Sequence, residues 1–363
     1  MRDLTQVAII GAGPAGLSAA LEIAKRGGQV TVFDENARPG GQLFKQIHKF
    51  FGSEYHGAGI RGVNLGEQLL QSCIENKVNI MLDSAVFGIF PNKEVGVASN
   101  GRCSSFRAEK ILIATGATER PINFPGWTLP GVMGAGAAQT MMNIHRVLPG
   151  KKVLMIGSGN VGLVVSYQIL QAGGEVVAIV EALPKVNGYM VHANKVMRNG
   201  VPIYTSHTIK EAFGDGRVEK AVIVEVDSGF SPVPGSEKTF EADTVCLAVG
   251  LNPSVELARL AGCRLVHIPR MGGFVPSHNE EMMTSVPGVY VAGDIAGIEE
   301  ASTAMEEGRL AGISIAYSLD LMSEAEYAES KRVINERIEE LRSGPHGKVR
   351  REGKQSILRG YQQ

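Results

Sequence analysis

Two stretches of this chain carry the same glycine pattern, displaced by 146 residues. Gly11, Gly13 and Gly16 in VAIIGAGPAG recur as Gly157, Gly159 and Gly162 in VLMIGSGNVG, and Gly27-Gly28 recurs as Gly173-Gly174. An apolar run leads into each glycine cluster and a helix-forming run follows it. In the first copy Leu17, Ala20, Leu21 and Ala24 fall at i, i+3, i+4 and i+7, an apolar stripe suited to packing on a sheet. A second apolar run closes each copy, QVTVFD and EVVAIVE. Val7 to Asp34 and Val153 to Glu181 therefore both read as strand, glycine turn, helix, strand, a βαβ unit.

In a G-x-G-x-x-G turn of this kind the first glycine makes the bend and the second lets the backbone approach a pyrophosphate. The third lets helix and strand pack closely. The anion sits on the helix N-terminus, where N–H groups lack partners and the macrodipole is positive. The expected binding residues are Gly11, Gly13, Pro14, Ala15 and Gly16 in the first copy and Gly157, Gly159, Asn160, Val161 and Gly162 in the second. An acid ending the second strand meets the ribose hydroxyls. That acid is Glu181 in the second copy; in the first, Asp34 follows the apolar run directly, whereas the strict offset selects Glu35.

The 363 residues are enough for two domains. A hydrophobic share of 44% against 20% charged leaves ample material for a core. A net charge of −1 excludes a nucleic-acid or anionic-membrane footprint. No apolar stretch reaches the roughly 18 residues of a membrane span, and no signal region precedes the first strand at Gln6–Ile10. A cytoplasmic location is the default expectation. Cys73, Cys103, Cys246 and Cys263 stand far apart, so no C-x-x-C pair, metal-ligand set or iron–sulfur set is readable, and reduced buried thiols are expected.

Three further segments give the chain its resemblance to the pyridine nucleotide-disulfide oxidoreductase superfamily in its thioredoxin-reductase-like form, over roughly residues 5 to 320. They are Arg38-Pro39-Gly40-Gly41-Gln42-Leu43, the strand Lys110–Ile113 ending in Ala114-Thr115-Gly116, and Pro287-Gly288-Val289-Tyr290-Val291-Ala292-Gly293-Asp294. The resemblance implies an α/β fold with two Rossmann-like dinucleotide-binding domains. The FAD domain, 1–118 and 249–325, is split by an inserted NAD domain, 119–248, and a C-terminal helix and basic tail occupy 326–363. It also implies that Gly41, Gln42, Ala114, Thr115, Gly116, Gly293 and Asp294 line the FAD. Asp294 would hold the ribityl chain, and the helix opening at Glu300-Ala301 would face the N1/O2 edge of the flavin, with an acid where relatives often carry an amide. Val86 is either the residue whose backbone meets the adenine or a plain strand end. Gly250, ending the inserted domain's last strand, Val245–Val249, is expected to line the second nucleotide, NAD or another. Lys45, Gln46 and His48 lie near the ring or serve packing alone.

Ala182-Leu183-Pro184-Lys185, after Glu181, lacks the arginines that hold a 2′-phosphate, so NAD is favoured over NADP, with another ATP-like nucleotide open. Without a cysteine pair, electrons cannot leave by thiol–disulfide exchange, which argues against a disulfide reductase. The segment Ala117–Pro121 through Phe124-Pro125-Gly126-Trp127 to Met133 resembles the crossover of the α subunits of heteromeric sarcosine oxidases, opine oxidases, hydrogen cyanide synthase and dye-linked proline dehydrogenases, or is a proline-rich hinge. That resemblance implies an electron-transferring FAD/NAD-binding subunit of an amine or amino-acid dehydrogenase or oxidase complex. Its partners would be an iron–sulfur protein and a flavin-dependent amine-oxidising subunit. A stand-alone NADH:acceptor flavin reductase and a non-catalytic nucleotide-binding subunit remain the alternatives. Hydride transfer between stacked rings about 3.5 Å apart needs little acid–base chemistry, so no catalytic residue is assigned. In the tail, Lys348, Arg350, Arg351, Lys354 and Arg359 against Glu352 read as a solvated end or as a dock for an acidic partner.

Overall fold

The computed structural model describes residues 3–50, 53–344 and 347–362. Two compact units result: Met1–Thr118 with Asn252–Gln363, and Glu119–Leu251. The chain begins β1 (Asp3–Ile10), α1 (Pro14–Ala24), β2 (Val30–Phe33), α2 (Gly62–Glu75), β3 (Asn79–Met81). β1 pairs with β2 and β2 with β3, both in parallel. An antiparallel meander follows, β4 (Ser84–Phe90), β5 (Glu94–Ser99) and β6 (Arg102–Ile113). β6 pairs along its length with different neighbours. Its first half pairs with β5, Arg102 opposite Ser99, and its second half runs parallel to β1, Ile113 opposite Ile10. Ile9, Ile111, Leu112 and Ile113, fully buried, form the centre of this sheet.

The second unit repeats this plan more widely than the glycine motif. β7 (Val132–Gly134) precedes β8 (Lys152–Ile156), α3 (Asn160–Gln171), β9 (Glu175–Glu181), α4 (Met190–Arg198) and β10 (Ile203–Thr205). The antiparallel β11 (His207–Phe213), β12 (Lys220–Glu225) and β13 (Lys238–Glu241) come next, then β14 (Thr244–Leu247). The sheet order β10-β9-β8-β14-β7 is parallel throughout. Strands in such a sheet are covered on both faces, which is why Val153–Ile156 and Val176–Val180 are apolar without alternation. The Phe124–Trp127 loop lies on β11: Ala212 N–H donates to the Pro125 carbonyl at 2.9 Å, and a Cβ on Gly126 would lie 1.8 Å from the Ala212 oxygen.

Returning to the first unit, the chain adds the hairpin β15 (Leu265–Ile268) and β16 (Gly273–Pro276), then β17 (Val289–Val291) parallel to β6. It ends with α5 (Ala301–Tyr317), α6 (Glu324–Leu341) and α7 (Gly347–Gln362). α5 packs on α1 through glycine. A Cβ on Gly308 would lie 2.1 Å from the Ala15 carbonyl oxygen, and one on Gly312 would lie 2.8 Å from that of Ala19. Both contacts advance by four residues in the same sense, so the helices run parallel and their N-termini open at the same end of the sheet.

Four readings of the sequence change. The stripe Leu17, Ala20, Leu21, Ala24 is too narrow a face for α1, because Ala15, Ser18 and Ala19 are also buried and α5 packs on Ala15 and Ala19. Cys103 is exposed at the outer start of β6, unlike the other three cysteines. The C-terminal helix expected from residue 326 begins at Glu324, capped by Ser323 Oγ accepting from Glu326 N–H. The basic tail is not a solvated run: α7 buries Ile357 and Lys354, the latter 5% exposed. Among the described residues no helix is long and apolar enough to cross a membrane.

Replacing Gly308 by Val should destabilise the chain by about 1–3 kcal/mol or more, since backbone, not a flexible side chain, meets the new atoms. Gly312→Ala, with more room, should cost less. Denaturant midpoints of the two variants would reverse this ranking if the helices could simply move apart.

Candidate functional site

The two glycine turns are superimposable in their backbone roles. Gly11 and Gly157 both sit at φ +106°, a conformation that L-residues with a side chain rarely adopt. A Cβ would lie 2.3 Å from the Ala114 oxygen in the first unit and 2.2 Å from the Ala248 oxygen in the second. At the third glycine, a Cβ on Gly16 or Gly162 would lie 1.9 or 2.2 Å from the oxygen of the first. The fold itself therefore requires the first and third glycines. The second does not share this: Gly159 has nothing within 4 Å of its Cβ direction, and Gly13 meets only the Gly41 Cα, at 3.9 Å. Open space in front of the second glycine and the free N–H groups of α1 and α3 are what a phosphate would use.

The two acids hold their turns in the same way. Asp34 Oδ2 accepts from Ala12 N–H at 2.7 Å, and Glu181 Oε2 accepts from Ser158 N–H at 3.0 Å and its hydroxyl at 2.6 Å. The other oxygens accept from Asn36 N–H and Nδ2, both 2.9 Å, and from Leu183 N–H at 2.9 Å. The structure brings Asp34 rather than the exposed Glu35 to the turn, one residue away from the strict offset. A carboxylate has about four acceptor positions, and three are taken in each case, which leaves capacity for a further donor such as a ribose hydroxyl. Ser84 N–H donates to the Asp34 carbonyl at 2.9 Å, which sets Val86 two residues away along β4.

The Gly40-Gly41 loop passes directly over the first turn. Gly40 N–H donates to the Ala12 carbonyl, and a Cβ on Gly41 would lie 2.9 Å from the Gly13 Cα. Leu43 anchors the loop in the core, Gln42 is exposed, and Lys45, Gln46 and His48 are half-buried behind it. Thr115 Oγ1 and the Gly116 carbonyl bond to Ser254 instead, at 2.9 and 3.0 Å. In the second unit Asn187, Gly188 and Tyr189 N–H groups bond to Ser158 and to Asn160 Oδ1, so the segment after Glu181 is stitched to the turn. Gly250, at φ +117°, accepts from Arg120 N–H at 3.0 Å.

Gly293 is wedged between the parallel helices, its Cβ direction 3.0 Å from the Ala15 Cβ and 3.5 Å from that of Ala304. This brings the Gly293-Asp294 turn beside the first glycine turn. Burial pushes the Asp294 carboxyl up to about 6, with Glu307 and Glu299 adding to the rise. Glu300 stands at the N-cap of α5, its carboxylate 3.0 Å from Arg350.

Two ion networks escaped the sequence. Glu306, wholly buried, accepts from His56 Nε2 at 3.0 Å and from Arg309, with Arg337 at 3.9 Å. Glu307 and Glu299 meet Arg342 and Lys354. One signal was available: Glu306-Glu307 sits inside an otherwise apolar and small-residue helix, ASTAMEEGRLAG, and buried carboxylates demand partners. Burial raises the thiols of Cys73 and Cys246 to about 12 and lifts that of Cys263, which makes them unreactive.

Gly157→Ala should destabilise folding by about 2 kcal/mol or more from strain and clash. Gly159→Ala should leave stability within about 0.5 kcal/mol while lowering any dinucleotide affinity of this unit about tenfold. Thermal unfolding and a nucleotide titration would separate the two. Glu306→Ala, which leaves the buried His56 and the half-buried Arg309 and Arg337 without their shared carboxylate, should lose about 1–3 kcal/mol in the same unfolding assay.

Residues 5–308 match the family model described as pyridine nucleotide-disulphide oxidoreductase. The chain is 32% identical over 346 residues to an opine oxidase subunit of Rhizobium meliloti strain 1021, covering 87% of this chain and 72% of that one. It is 29% identical over 354 residues to the HcnB subunit of hydrogen cyanide synthase from Pseudomonas aeruginosa, covering 92% and 75%. It spans only about a third of the sarcosine oxidase alpha subunit of a Corynebacterium species, 32% of its length at 28% identity. In fold it is similar to T. acidophilum thioredoxin reductase, with TM-score 0.73, 24% identity and 88% and 100% coverage. It is also similar to P. horikoshii L-proline dehydrogenase, with TM-score 0.68, 24% identity and 91% and 59% coverage. The glycine turns, their acids and the extent of the match agree: the chain belongs to the pyridine nucleotide-disulphide oxidoreductase family.

Proposed function

We propose that the chain is the FAD- and NAD-binding, electron-transferring subunit of an amine or amino-acid dehydrogenase or oxidase complex. The observation that carries the reading is the pairing of two open dinucleotide turns with four dispersed cysteines, three of them buried, none able to form a dithiol beside the first turn. Relatives that are named as subunits of opine oxidase and hydrogen cyanide synthase support the same class. The partners would be an iron–sulfur protein and a flavin-dependent amine-oxidising subunit.

Gly13, Pro14 and Ala15 at the start of α1 and Asp34 would hold the adenosine half of FAD, with Gly41, Asp294 and the Glu300-Ala301 helix start around the other half. When bound, the flavin supplies two-electron redox chemistry that no side chain here possesses. The protein's own contribution is binding and electrostatics. The N-terminus of α5 directs a positive dipole end at its ligand, and Arg350 offsets the negative charge of Glu300 at that position. Glu181 and the absence of a following arginine cluster favour NAD over NADP at the second turn.

The purified chain should carry FAD, identified after acid release, and Asp34→Ala should weaken its retention. Under anaerobic conditions with excess NADH, bleaching of the flavin band would mark the second site as a working NAD site. An unchanged band would mark a relay that is charged by a partner protein. A chain that cannot bind FAD at all would sink the proposal.

A further inference from the structure

Residues 309–363 lie beyond the matched family segment, yet they supply both cations that meet the carboxylates behind the Gly293-Asp294 turn. Helix α7 is seated by apolar contacts: Ile357 packs with Met271 and Val275, and a Cβ on Gly353 would lie 2.4 Å from Met271 Sδ. That seating delivers Lys354 to the turn. Its Nζ donates to the Ala296 carbonyl at 2.7 Å and to Glu307 Oε1 at 2.6 Å. Glu307 Oε2 in turn accepts from Gly293 N–H at 3.1 Å. One ammonium and one carboxylate thus close a chain of bonds around the four residues Gly293 to Ala296. Arg342, at the end of α6, completes the network on Glu299, at 2.7 and 3.2 Å, and on Glu307 at 2.8 Å.

Burying an ammonium costs several kcal/mol unless it is paired, so a terminal helix that buries one is specific to the place where its partners stand. The charges acting on Asp294 are Glu299, just before α5, Glu307 from the second turn of α5 and Lys354 from α7, and Arg342 from α6 pairs with both glutamates. His278 is also buried here, its Nδ1 on the Asn279 carbonyl, and burial and Lys354 hold its ring down at about 3, hence neutral. Among the described residues, three carboxylates therefore face two cations.

We infer that the C-terminal helix is a working part of the flavin site, in which Lys354 is a positioning residue that clamps the Gly293–Ala296 turn and supplies the positive charge facing Asp294. This rests on the reading that the first unit binds FAD. An ionised Asp294 accepts a ligand hydroxyl more strongly than a protonated one. Its carboxyl is raised to about 6, so affinity is highest above that pH and weakens as pH falls through it. Burial and the neighbouring acids cause the rise and Lys354 opposes it.

The test is FAD affinity of the apo full chain, by fluorescence titration from pH 5 to 8. Lys354→Met should move the midpoint of affinity loss up by about one unit and weaken binding about fivefold near pH 6 and close to tenfold near pH 5. Glu307→Gln, which removes a repelling charge, should move it down. Arg359→Gln, on the exposed side of the same helix, should match the wild type. Opposite shifts support the inference. Unmoved midpoints, or shifts of one sign as general loosening would give, overturn it, and if Lys354→Met does not fold, the downward shift of Glu307→Gln decides alone. A wild-type chain that binds no FAD overturns the flavin reading and this inference with it.

Discussion

The left-handed bend at Gly11, repeated at Gly157, is the constraint on which the rest of each unit depends. At φ +106° the chain leaves the central strand and turns into a helix whose third glycine touches the oxygen of the first. Any Cβ at either position would enter backbone rather than a movable side chain, so no repacking relieves it. With the bend in place, the first helix N-terminus is held at the carboxyl end of the sheet, where open α/β sheets bind their ligands. The carboxylate of Asp34 or Glu181 then locks the turn by taking the N–H of the residue between the first two glycines.

Around this shared device the first unit is built more tightly. The glycines of α5 let it run parallel and close to α1, so two helix N-termini open at one end. That closeness buries a helix face on which Glu306 and Glu307 lie, and their carboxylates are met by Arg309 of the same helix and by His56, Arg337, Arg342 and Lys354 from other segments. Such networks add less net stability than their bond count implies, because desolvation offsets much of the attraction. What they confer is specificity of placement. The Gly293–Asp294 turn is held by Glu307 on one side and Lys354 on the other, which ties the chain's last helix to a motif some sixty residues earlier.

The expectation of a basic solvated tail and the finding of a buried Lys354 show where sequence reading runs out. Period and composition report a residue's own preference, and a lysine among Arg350, Arg351 and Arg359 prefers water. Its burial is decided by Glu307 and the Ala296 carbonyl, partners that local pattern does not reveal. The same holds for α1, whose apolar stripe predicts one packing face. Its second face exists only because Gly308 and Gly312 stand opposite Ala15 and Ala19. The shift from Glu35 to Asp34 is smaller but alike in kind: Phe33, not residue 34, takes the Gly11 N–H where Val180 takes that of Gly157, and only the hydrogen bond to Ala12 identifies the acid that faces the turn.

By itself the sequence determined the duplicated βαβ plan, the glycines that bend it, the α/β class and the absence of a cysteine pair, since each follows from residue type at short spacing. Tertiary structure alone decided which carboxylates are buried, which cations answer them, and that Lys354 of the last helix meets the Gly293–Ala296 turn. Those outcomes depend on desolvation and on groups from 35 to 250 residues apart, and a charge acquires its meaning only when the fold removes water from it.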